Sequence, residues 1–131
     1  HHATIGGMTP IHQFCKVGNY SFIGGGYRIV QDVPPFILAM NEPLKFSGLN
    51  KIGLRRQKFS LELRSNIKHA YQLIYNSSLN ISQAVEKIKQ EFHSIPEINN
   101  ILDYFPLLIF LVRCFIYSSS LPYHLSYFYH V

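Results

Sequence analysis

"IGGMTPIHQFCKVGNYSFIGGGYRIVQDV", residues 5–33, contains the pattern that decides the fold. An aliphatic residue returns in it at every sixth position, as Ile5, Ile11, Val17, Ile23 and Ile29. Helices repeat every 3.6 residues and strands every two, so neither element has this period. A hexad repeat is typical of a parallel β-helix, in which three short strands and three turns make one triangular coil around stacked aliphatic side chains.

Glycine follows three of these aliphatic positions, at Gly6, Gly18 and Gly24. Glycine there relieves crowding at the corner of a coil and permits unusual backbone angles. The alternative interpretation is a run of ordinary short strands with glycine turns. We predict a β-helix over residues 1–35, and we expect Pro34 and Pro35 to end it because proline lacks the donor that the ladder needs. Five hexads are fewer than two coils, so we expect the natural domain to begin upstream of His1.

The bulk composition of the 131-residue chain bounds what it can be. Hydrophobic residues make up 47% and charged residues 15%, which is sufficient for a folded core and excludes global disorder. The formal net charge of +5 favours an anionic partner without naming one. Two cysteines do not make a disulfide framework, so a reducing, cytoplasmic location is expected.

Residues 36–59 are predicted to be a basic linker or loop. Five cations lie in this region, and residues 43–61 contain no Asp or Glu; the cations are Lys45, Lys51, Arg55, Arg56 and Lys58. They form either a solvated face or a surface that attracts an anionic partner. Nucleic acid is disfavoured as a partner, because no known nucleic-acid module or interleaved aromatic platform is present.

Residues 60–105 are predicted to form a small helical domain of three helices. Ser60 caps the first in this interpretation, Asn80 with Gln83 forms a capping box for the second, and Ser94 caps the third. The apolar stripes of these helices are expected to share one small core. The stripe of the first helix is Leu63, Ile67, Ala70, Tyr71 and Ile74, that of the second is Ala84, Val85, Ile88 and Phe92, and that of the third is Ile98, Ile101, Leu102 and Phe105.

Residues 106–131 form an anomalous apolar tail with one charged residue, Arg113. Its apolar run, 107–117, is shorter than the roughly 20 residues that span a bilayer, so no stable membrane span is expected. The tail is either a native extension that packs on the helices, or the product of a wrong reading frame or of a contig end.

Four motifs make the sequence specific: "HQF" at residue 12, "QDVPPF" at 31, "GLN" at 48 and "GLRR" at 53. In this order and spacing the chain resembles the acyl-carrier-protein–UDP-N-acetylglucosamine O-acyltransferases of lipid A synthesis. The resemblance runs from about Ile5 to Phe105. It implies a trimer of left-handed β-helices with active sites between neighbouring subunits. It also implies transfer of a 3-hydroxyacyl chain from acyl carrier protein to the 3-hydroxyl of UDP-N-acetylglucosamine.

The resemblance also implies which residues contact the substrates. His12 and Gln13 would line the cleft, Gly25 would leave room for the acyl chain, and Asn50 and Arg56 would hold the uridine nucleotide. From the sequence alone, Gly25 serves equally well as a turn glycine. The chain departs from the family pattern at Ile52, where some members have an acidic residue. It departs again at Gln57 and Lys58, where a basic residue and a glycine are common.

Acyl transfer to a hydroxyl needs a general base, usually histidine. The family's base would fall upstream of His1, so no catalytic residue is assigned in this chain and the 131 residues alone are expected to be inactive. No cofactor and no metal site are expected, since His12 is the only histidine between His2 and His69. Two alternatives remain: a non-catalytic fragment that trimerises or binds carrier protein, and another hexapeptide-repeat sugar acyltransferase.

Overall fold

The computed structural model describes residues 1–105, and the interpretations of the tail, residues 106–131, lie outside the described residues. The chain divides into two compact units, residues 1–64 and a second unit that begins at Ser65. None of the helices in residues 1–105 has both the length and the apolar character needed to cross a membrane.

The first unit is built on a ladder of short parallel strands. β1 (Thr4–Ile5), β2 (Phe22–Ile23) and β3 (Ile37–Met40) pair in this order, all in parallel. Isolated parallel bridges between Ile11 and Ile29 and between Val17 and Val33 form two further faces. Three faces that recur along the chain make a triangular coil, so the parallel β-helix predicted from the hexads is confirmed and antiparallel hairpins are excluded for this segment.

Aliphatic side chains from successive coils fill the inside of this ladder. Ile23, Ile29 and Val33 are fully buried, whereas Ile5 and Ile11 in the first coil are 39% and 45% exposed. Ile23 lies between Ile5 on one side and Ala39 on the other, which accounts for its complete burial. Burying one such side chain stabilises the fold by about 1.5–3 kcal/mol.

Successive coils approach most closely at the corners that contain glycine. A Cβ added to Gly6 would lie 2.7 Å from the carbonyl carbon of Gly24, and a Cβ added to Gly18 would lie 2.6 Å from that of Pro34. Both distances are well inside van der Waals contact with main-chain atoms, which cannot rotate away as a side chain can. The predicted role of these glycines in relieving crowding is therefore confirmed at both corners.

The parallel ladder continues beyond Pro35, which differs from the expected end of the solenoid. Pro34 and Pro35 occupy the corner between Val33 and β3, outside the strands, so the ladder does not need their missing donors. The corner before Val33 is two residues short of a full hexad, since Val33 rather than residue 35 stacks on Val17. Asp32 closes this short corner, where its carboxylate accepts a hydrogen bond of 2.7 Å from the backbone N–H of Lys16.

Residues 36–59 also differ from the expected loop, because they contain β3, β4 (Lys45–Leu49) and α1 (Lys51–Arg56). β4 pairs antiparallel with β3, and this reversal is what ends the parallel ladder. The turn between β3 and β4 contains a cis peptide bond before Pro43. Glu42 in this turn accepts hydrogen bonds from the Arg28 backbone N–H and guanidinium, which attaches the turn to the coil.

The helical part of the chain comprises α2 (Leu61–Tyr75), α3 (Ile81–Glu91) and α4 (residues 96–105). The predicted three helices are therefore confirmed. The predicted apolar stripes are buried, except that Leu63 and Phe92 are only half-buried, and Leu73, which the stripes did not include, is buried as well. The buried residues are Ile67, Ala70, Tyr71, Leu73, Ile74, Ala84, Val85, Ile88, Ile98, Ile101, Leu102 and Phe105. Burial raises the pKa of Tyr71 well above its ordinary value, so this phenol stays neutral in the core.

Two of the three predicted helix caps are confirmed and one is wrong. Ser60 accepts a hydrogen bond from the Leu63 N–H, and Asn80 with Gln83 forms the complete capping box. Ser94 does not occupy a cap position: its φ is 61°, and the Ile95 carbonyl accepts the first bond of α4, from the Asn99 N–H. With Pro96 as the first helical residue, the cap position moves one residue on, to Ile95.

Replacing Gly18 by alanine tests the close approach of coils. We expect Gly18→Ala to lower the free energy of unfolding by about 1–3 kcal/mol, because its methyl group would overlap the Pro34–Pro35 backbone. Gly7→Ala is the matched control, because a Cβ on Gly7 meets nothing within 4 Å. Urea unfolding followed by circular dichroism measures both. Equal stability of the two variants would contradict the proposed packing.

Candidate functional site

The corners of the coils carry a second six-residue period, in which Met8, Phe14, Tyr20 and Gly26 each lie three residues after an inward aliphatic and His2 lies six residues before Met8. These corner residues adopt a left-handed backbone with positive φ: His2, Met8, Phe14, Tyr20 and Gly26. Phe36, three residues after Val33, continues the series once the short corner is allowed for. The candidate site residues lie beside these corners, so corner geometry decides where each of them lies.

His12 and Gln13 follow Ile11 at one corner, and both are exposed. The His12 backbone N–H donates to the Ile29 carbonyl at 2.8 Å, which ties this corner to the next coil. His12 Nδ1 lies 3.1 Å from the Gln13 carbonyl. Because a carbonyl only accepts, this bond needs a ring proton on Nδ1. In the neutral imidazole, Nε2 then has a lone pair for a donor such as a ligand hydroxyl.

Gly25 follows β2 at a different corner and is exposed. A Cβ at this position would lie 3.0 Å from the Gly7 carbonyl oxygen of the preceding coil, which is tighter than ordinary contact. The next residue, Gly26, donates its N–H to that same carbonyl at 3.0 Å. The close approach of Gly7 therefore favours glycine at residue 25 whether or not a ligand needs the space.

Asn50 caps α1 and at the same time joins it to the solenoid. Its Oδ1 accepts a hydrogen bond of 3.0 Å from the Gly53 N–H, and its Nδ2 donates one of 2.9 Å to the Tyr20 carbonyl. The two bonds fix the orientation of the amide. One N–H of Nδ2 has no acceptor among residues 1–105 and is the group of this side chain that remains to contact a ligand.

Arg56 is exposed at the last turn of α1, within the cluster of cations noted in the sequence. All five cations are exposed, and none is paired with a carboxylate of the described residues; they are Lys45, Lys51, Arg55, Arg56 and Lys58. Exposed guanidinium and ammonium groups without counter-ions make this surface attractive to anions.

The electrostatics of α1 add to this attraction at its N-terminal end. Lys51 lies in the first turn, where the helix dipole disfavours a cation and no acidic residue compensates. Lys51 and Arg55 are also four residues apart, a spacing at which like charges destabilise a helix. An anion bound beside them would relieve the repulsion of Lys51 by the helix dipole and by Arg55. Each repulsion is worth roughly a few tenths of a kcal/mol for side chains exposed to water.

α1 ends in a Schellman motif that shows the effect of one departure from the family pattern. The Phe59 N–H donates to the Leu54 carbonyl and the Lys58 N–H to the Arg55 carbonyl, both at 3.0 Å. Lys58 has a φ of 60°, a conformation that favours glycine at this position of the motif. Ile52, the other departure, presents an apolar side chain that is 61% exposed.

The sequence did not predict a role for the aromatic residues around Tyr20. They contact the ring of Tyr20, whose carbonyl accepts the hydrogen bond from Asn50. The Tyr20 ring stacks on Phe36 with ring centroids 5.8 Å apart, and Phe59 packs edge-on against both rings. The signal available in the sequence was the bulky residue three places after each inward aliphatic, at Met8, Phe14 and Tyr20. Which of these bulky residues contact one another depends on how the coils stack, and the sequence alone does not give that.

The five predicted site residues lie at three different corners of one solenoid. His12 and Gln13 follow the face of Ile11, Gly25 follows the face of Ile23, and Asn50 is bound to the corner that follows Val17. Asn50 and Arg56 lie at the two ends of α1, and His12 and Gln13 are adjacent. The three groups do not meet on one face of the chain.

Cys15 lies beside His12 but is not suited to nucleophilic chemistry. Burial raises the pKa of its thiol, and the negative charge of Asp32 raises it further. The thiol is therefore protonated near neutral pH, and a thiol is a far weaker nucleophile than a thiolate. In residues 1–105, no three His, Cys, Asp or Glu side chains lie close enough together to hold a metal ion.

Comparison with known proteins places most of the chain in one group. Residues 32–106 match the family described as UDP N-acetylglucosamine O-acyltransferase, domain 2. The acyl-[acyl-carrier-protein]–UDP-N-acetylglucosamine O-acyltransferase of Aliivibrio salmonicida is 39% identical over 104 residues, which are 79% of this chain and 40% of that protein. The corresponding protein of Thiobacillus denitrificans is 37% identical over 102 residues, 78% of this chain and 40% of its own length.

Solved structures show the same relation. The UDP-N-acetylglucosamine acyltransferase of Bacteroides fragilis superposes with a TM-score of 0.75 and 48% identity over 78% of this chain and 40% of that one. The Arabidopsis UDP-N-acetylglucosamine acyltransferase gives 0.73 and 32% over 78% and 38%. This likeness confirms the predicted left-handed parallel β-helix with helices after it. The chain spans about 40% of the length of the relatives it matches.

Removing the Asn50 side chain tests its double role. We expect Asn50→Ala to lower the free energy of unfolding by about 1–3 kcal/mol, because both the cap and the bond to Tyr20 are lost. Asn50→Ser retains a capping oxygen and loses only the second bond, so it should recover about 1 kcal/mol. Thermal unfolding of the three proteins gives the order, and a serine variant no more stable than the alanine one would contradict it.

The backbone of Lys58 yields a second prediction. Lys58→Gly should raise the free energy of unfolding by about 1 kcal/mol, since glycine adopts a φ of 60° without the steric cost that a Cβ brings. Lys51→Gly is the control: it removes the same charge at a helical position, where glycine should destabilise by about 1 kcal/mol. Chemical denaturation distinguishes them, and a loss of stability in both would show that the Lys58 conformation is not strained.

Proposed function

Because this chain belongs to the UDP-N-acetylglucosamine O-acyltransferase family, we propose that it forms the nucleotide-binding end of an enzyme of lipid A synthesis. The enzyme transfers a 3-hydroxyacyl chain from acyl carrier protein to the 3-hydroxyl of UDP-N-acetylglucosamine. The observation that carries the proposal is the exposed cation cluster on and around α1, which has no carboxylate partner among the described residues and lies inside the matched segment.

In this proposal Arg56 and Asn50 hold the nucleotide. A guanidinium can form two parallel hydrogen bonds to a phosphate, and Arg56 presents one from the end of α1. The remaining N–H of the Asn50 amide lies at the N-cap of the same helix, six residues before Arg56, with its direction set by the cap. Ile52 offers the nucleotide an apolar contact where an acidic residue stands in some family members.

His12, Gln13 and Gly25 contact the reacting groups in this proposal. With its proton on Nδ1, His12 has Nε2 as an acceptor for a sugar or acyl hydroxyl, and the Gln13 amide can both donate and accept. Gly25 borders the acyl chain, where any side chain would add bulk beside Gly7. None of these residues is assigned the proton transfer from the attacking hydroxyl.

The distribution of these residues over three corners supports a homotrimer. One copy cannot present His12, Gly25 and α1 to the same ligand, because each follows a different face of the coil. Packing three solenoids side by side brings a corner of one copy against a different corner of the next. Each cleft between two copies then contains site residues from both of them. We therefore propose that the substrates bind between copies of this chain.

The carrier protein is the second partner in the proposal. Carrier proteins of this type are acidic, and the five cations of the cluster give long-range attraction that accelerates encounter. A cytoplasmic location follows from the reducing compartment inferred from cysteine usage. The alternative, a non-catalytic trimer that only binds carrier protein, keeps this attraction and lacks nucleotide binding.

Replacing Arg56 tests nucleotide recognition in the natural full-length protein. Arg56→Ala should weaken binding of UDP-N-acetylglucosamine by roughly one to two orders of magnitude, because a charge-assisted hydrogen bond is worth about 1.5–3 kcal/mol. Isothermal titration calorimetry measures the affinity. Parent-like binding by this variant would remove the assignment of Arg56 and favour the carrier-binding alternative.

Lys58→Ala is the matched control for charge. It removes a cation from the same cluster at a position that matches no nucleotide contact, so the affinity for the nucleotide should stay within about threefold of the parent. Its main effect should be slower association with the carrier protein, and this effect should fade as salt screens the attraction. Stopped-flow association at two salt concentrations tests it, and a salt-independent rate would exclude the electrostatic role.

A further inference from the structure

A column of aromatic rings runs along one corner of the solenoid. His2 stacks on Tyr20 with ring centroids 5.1 Å apart and ring planes 13° from parallel, and Tyr20 stacks on Phe36 at 5.8 Å and 12°. All three residues have positive φ, a conformation that is costly for residues with a side chain. In this conformation each ring stacks against a ring of a neighbouring coil, which offsets the backbone cost. Phe36 is buried almost completely, with 1% exposed.

Phe59 closes this column from the side. Its ring meets Tyr20 at 5.1 Å and 70°, and Phe36 at 6.0 Å and 61°, both of them edge-to-face arrangements that aromatic pairs favour. Phe59 is also the residue that completes the Schellman motif, where its N–H donates to the Leu54 carbonyl. The ring thus holds the C-terminal end of α1 against the solenoid.

The N-terminal end of α1 is attached to the same two coil residues. The Asn50 side chain donates to the Tyr20 carbonyl, and the Asn50 backbone N–H donates to the Phe36 carbonyl at 2.9 Å. Tyr20 and Phe36 therefore hold one end of the helix through their backbones and the other through their rings. A helix of six residues is too short to be stable alone, so its position depends on these contacts.

We propose that Tyr20, Phe36 and Phe59 are positioning residues for nucleotide binding: they hold α1 in place, so that the backbone at Arg56 is fixed before the phosphate binds and no ring touches the ligand. The inference rests on the proposed function, because Arg56 is the cation assigned to the nucleotide. A helix that is already fixed loses less conformational freedom on binding, and this difference appears as affinity.

The experiment compares Phe59→Leu with the parent in the natural full-length protein. Leucine keeps an apolar side chain and removes the ring contacts, so UDP-N-acetylglucosamine should bind about threefold to tenfold more weakly. KM for this substrate should rise to match, and kcat should stay near the parent value. Phe59→Tyr restores a ring and should restore affinity. Phe92→Leu, which removes a ring contact to His69 in the second unit, is the control and should bind as the parent does.

The double variant Phe59→Leu/Arg56→Ala decides whether Phe59 acts through Arg56. If it does, the double variant binds no more weakly than Arg56→Ala alone, because a guanidinium that is absent cannot be positioned. Additive losses, or parent-like affinity of Phe59→Leu, would overturn the proposal. So would a fall in kcat without a rise in KM, which would point to a general structural defect.

Amide hydrogen exchange separates this inference from the proposed function. In Phe59→Leu the N–H groups of Leu54 and Gln57, both bonded within α1, should exchange faster than in the parent and in the Phe92→Leu control. Faster exchange together with parent-like nucleotide binding by Arg56→Ala would mean that the rings hold α1 and that the function assigned to it is wrong. Unchanged exchange in Phe59→Leu would overturn the positioning role itself.

Discussion

Successive coils of the solenoid lie so close at two corners that no methyl group fits between them. Gly6 faces the Gly24–Gly25 backbone and Gly18 faces the Pro34–Pro35 backbone, and in both places a Cβ would overlap main-chain atoms. The close approach lets the backbone bonds between coils form, including Gly6 to Ile23 at 2.9 Å and Gly18 to Val33 at 2.7 Å. The stacked core of Ile23, Ile29 and Val33 depends on those bonds.

The corner that contains the Gly18 contact then also determines where the basic helix lies. Once Val33 stacks on Val17, Phe36 must lie over Tyr20, because each residue is three places beyond its inward neighbour. The carbonyls and rings of this pair receive Asn50 and Phe59, which begin and follow α1. The packing inside the coil therefore also determines the position of the exposed cations on α1, although none of them lies in the core.

Much of the fold could be predicted from the sequence, because the relevant interactions are local or periodic. Inward Ile23 and Ile29, the glycine corners and the buried stripes of the helices all follow from residue spacing. The capping box of Asn80 and Gln83 was recognisable for the same reason, since its bonds span three residues. Ser94 was misassigned because Pro96 sets the first helical residue, and the cap then falls on Ile95, a poor capping residue.

Local sequence by itself thus determined the solenoid, the three helices and, through resemblance, the residues to inspect: His12, Gln13, Gly25, Asn50 and Arg56. Only the tertiary structure decided that these residues lie at three separate corners, that β4 exists, and that Asn50 is bound to Tyr20. The physical reason is register. The corner between Ile29 and Val33 is two residues short of a full hexad. A strand such as β4 is stable only where a partner, here β3, lies beside it. The shortened corner and the pairing of β4 with β3 both depend on contacts between residues distant in sequence, so local sequence patterns do not predict them.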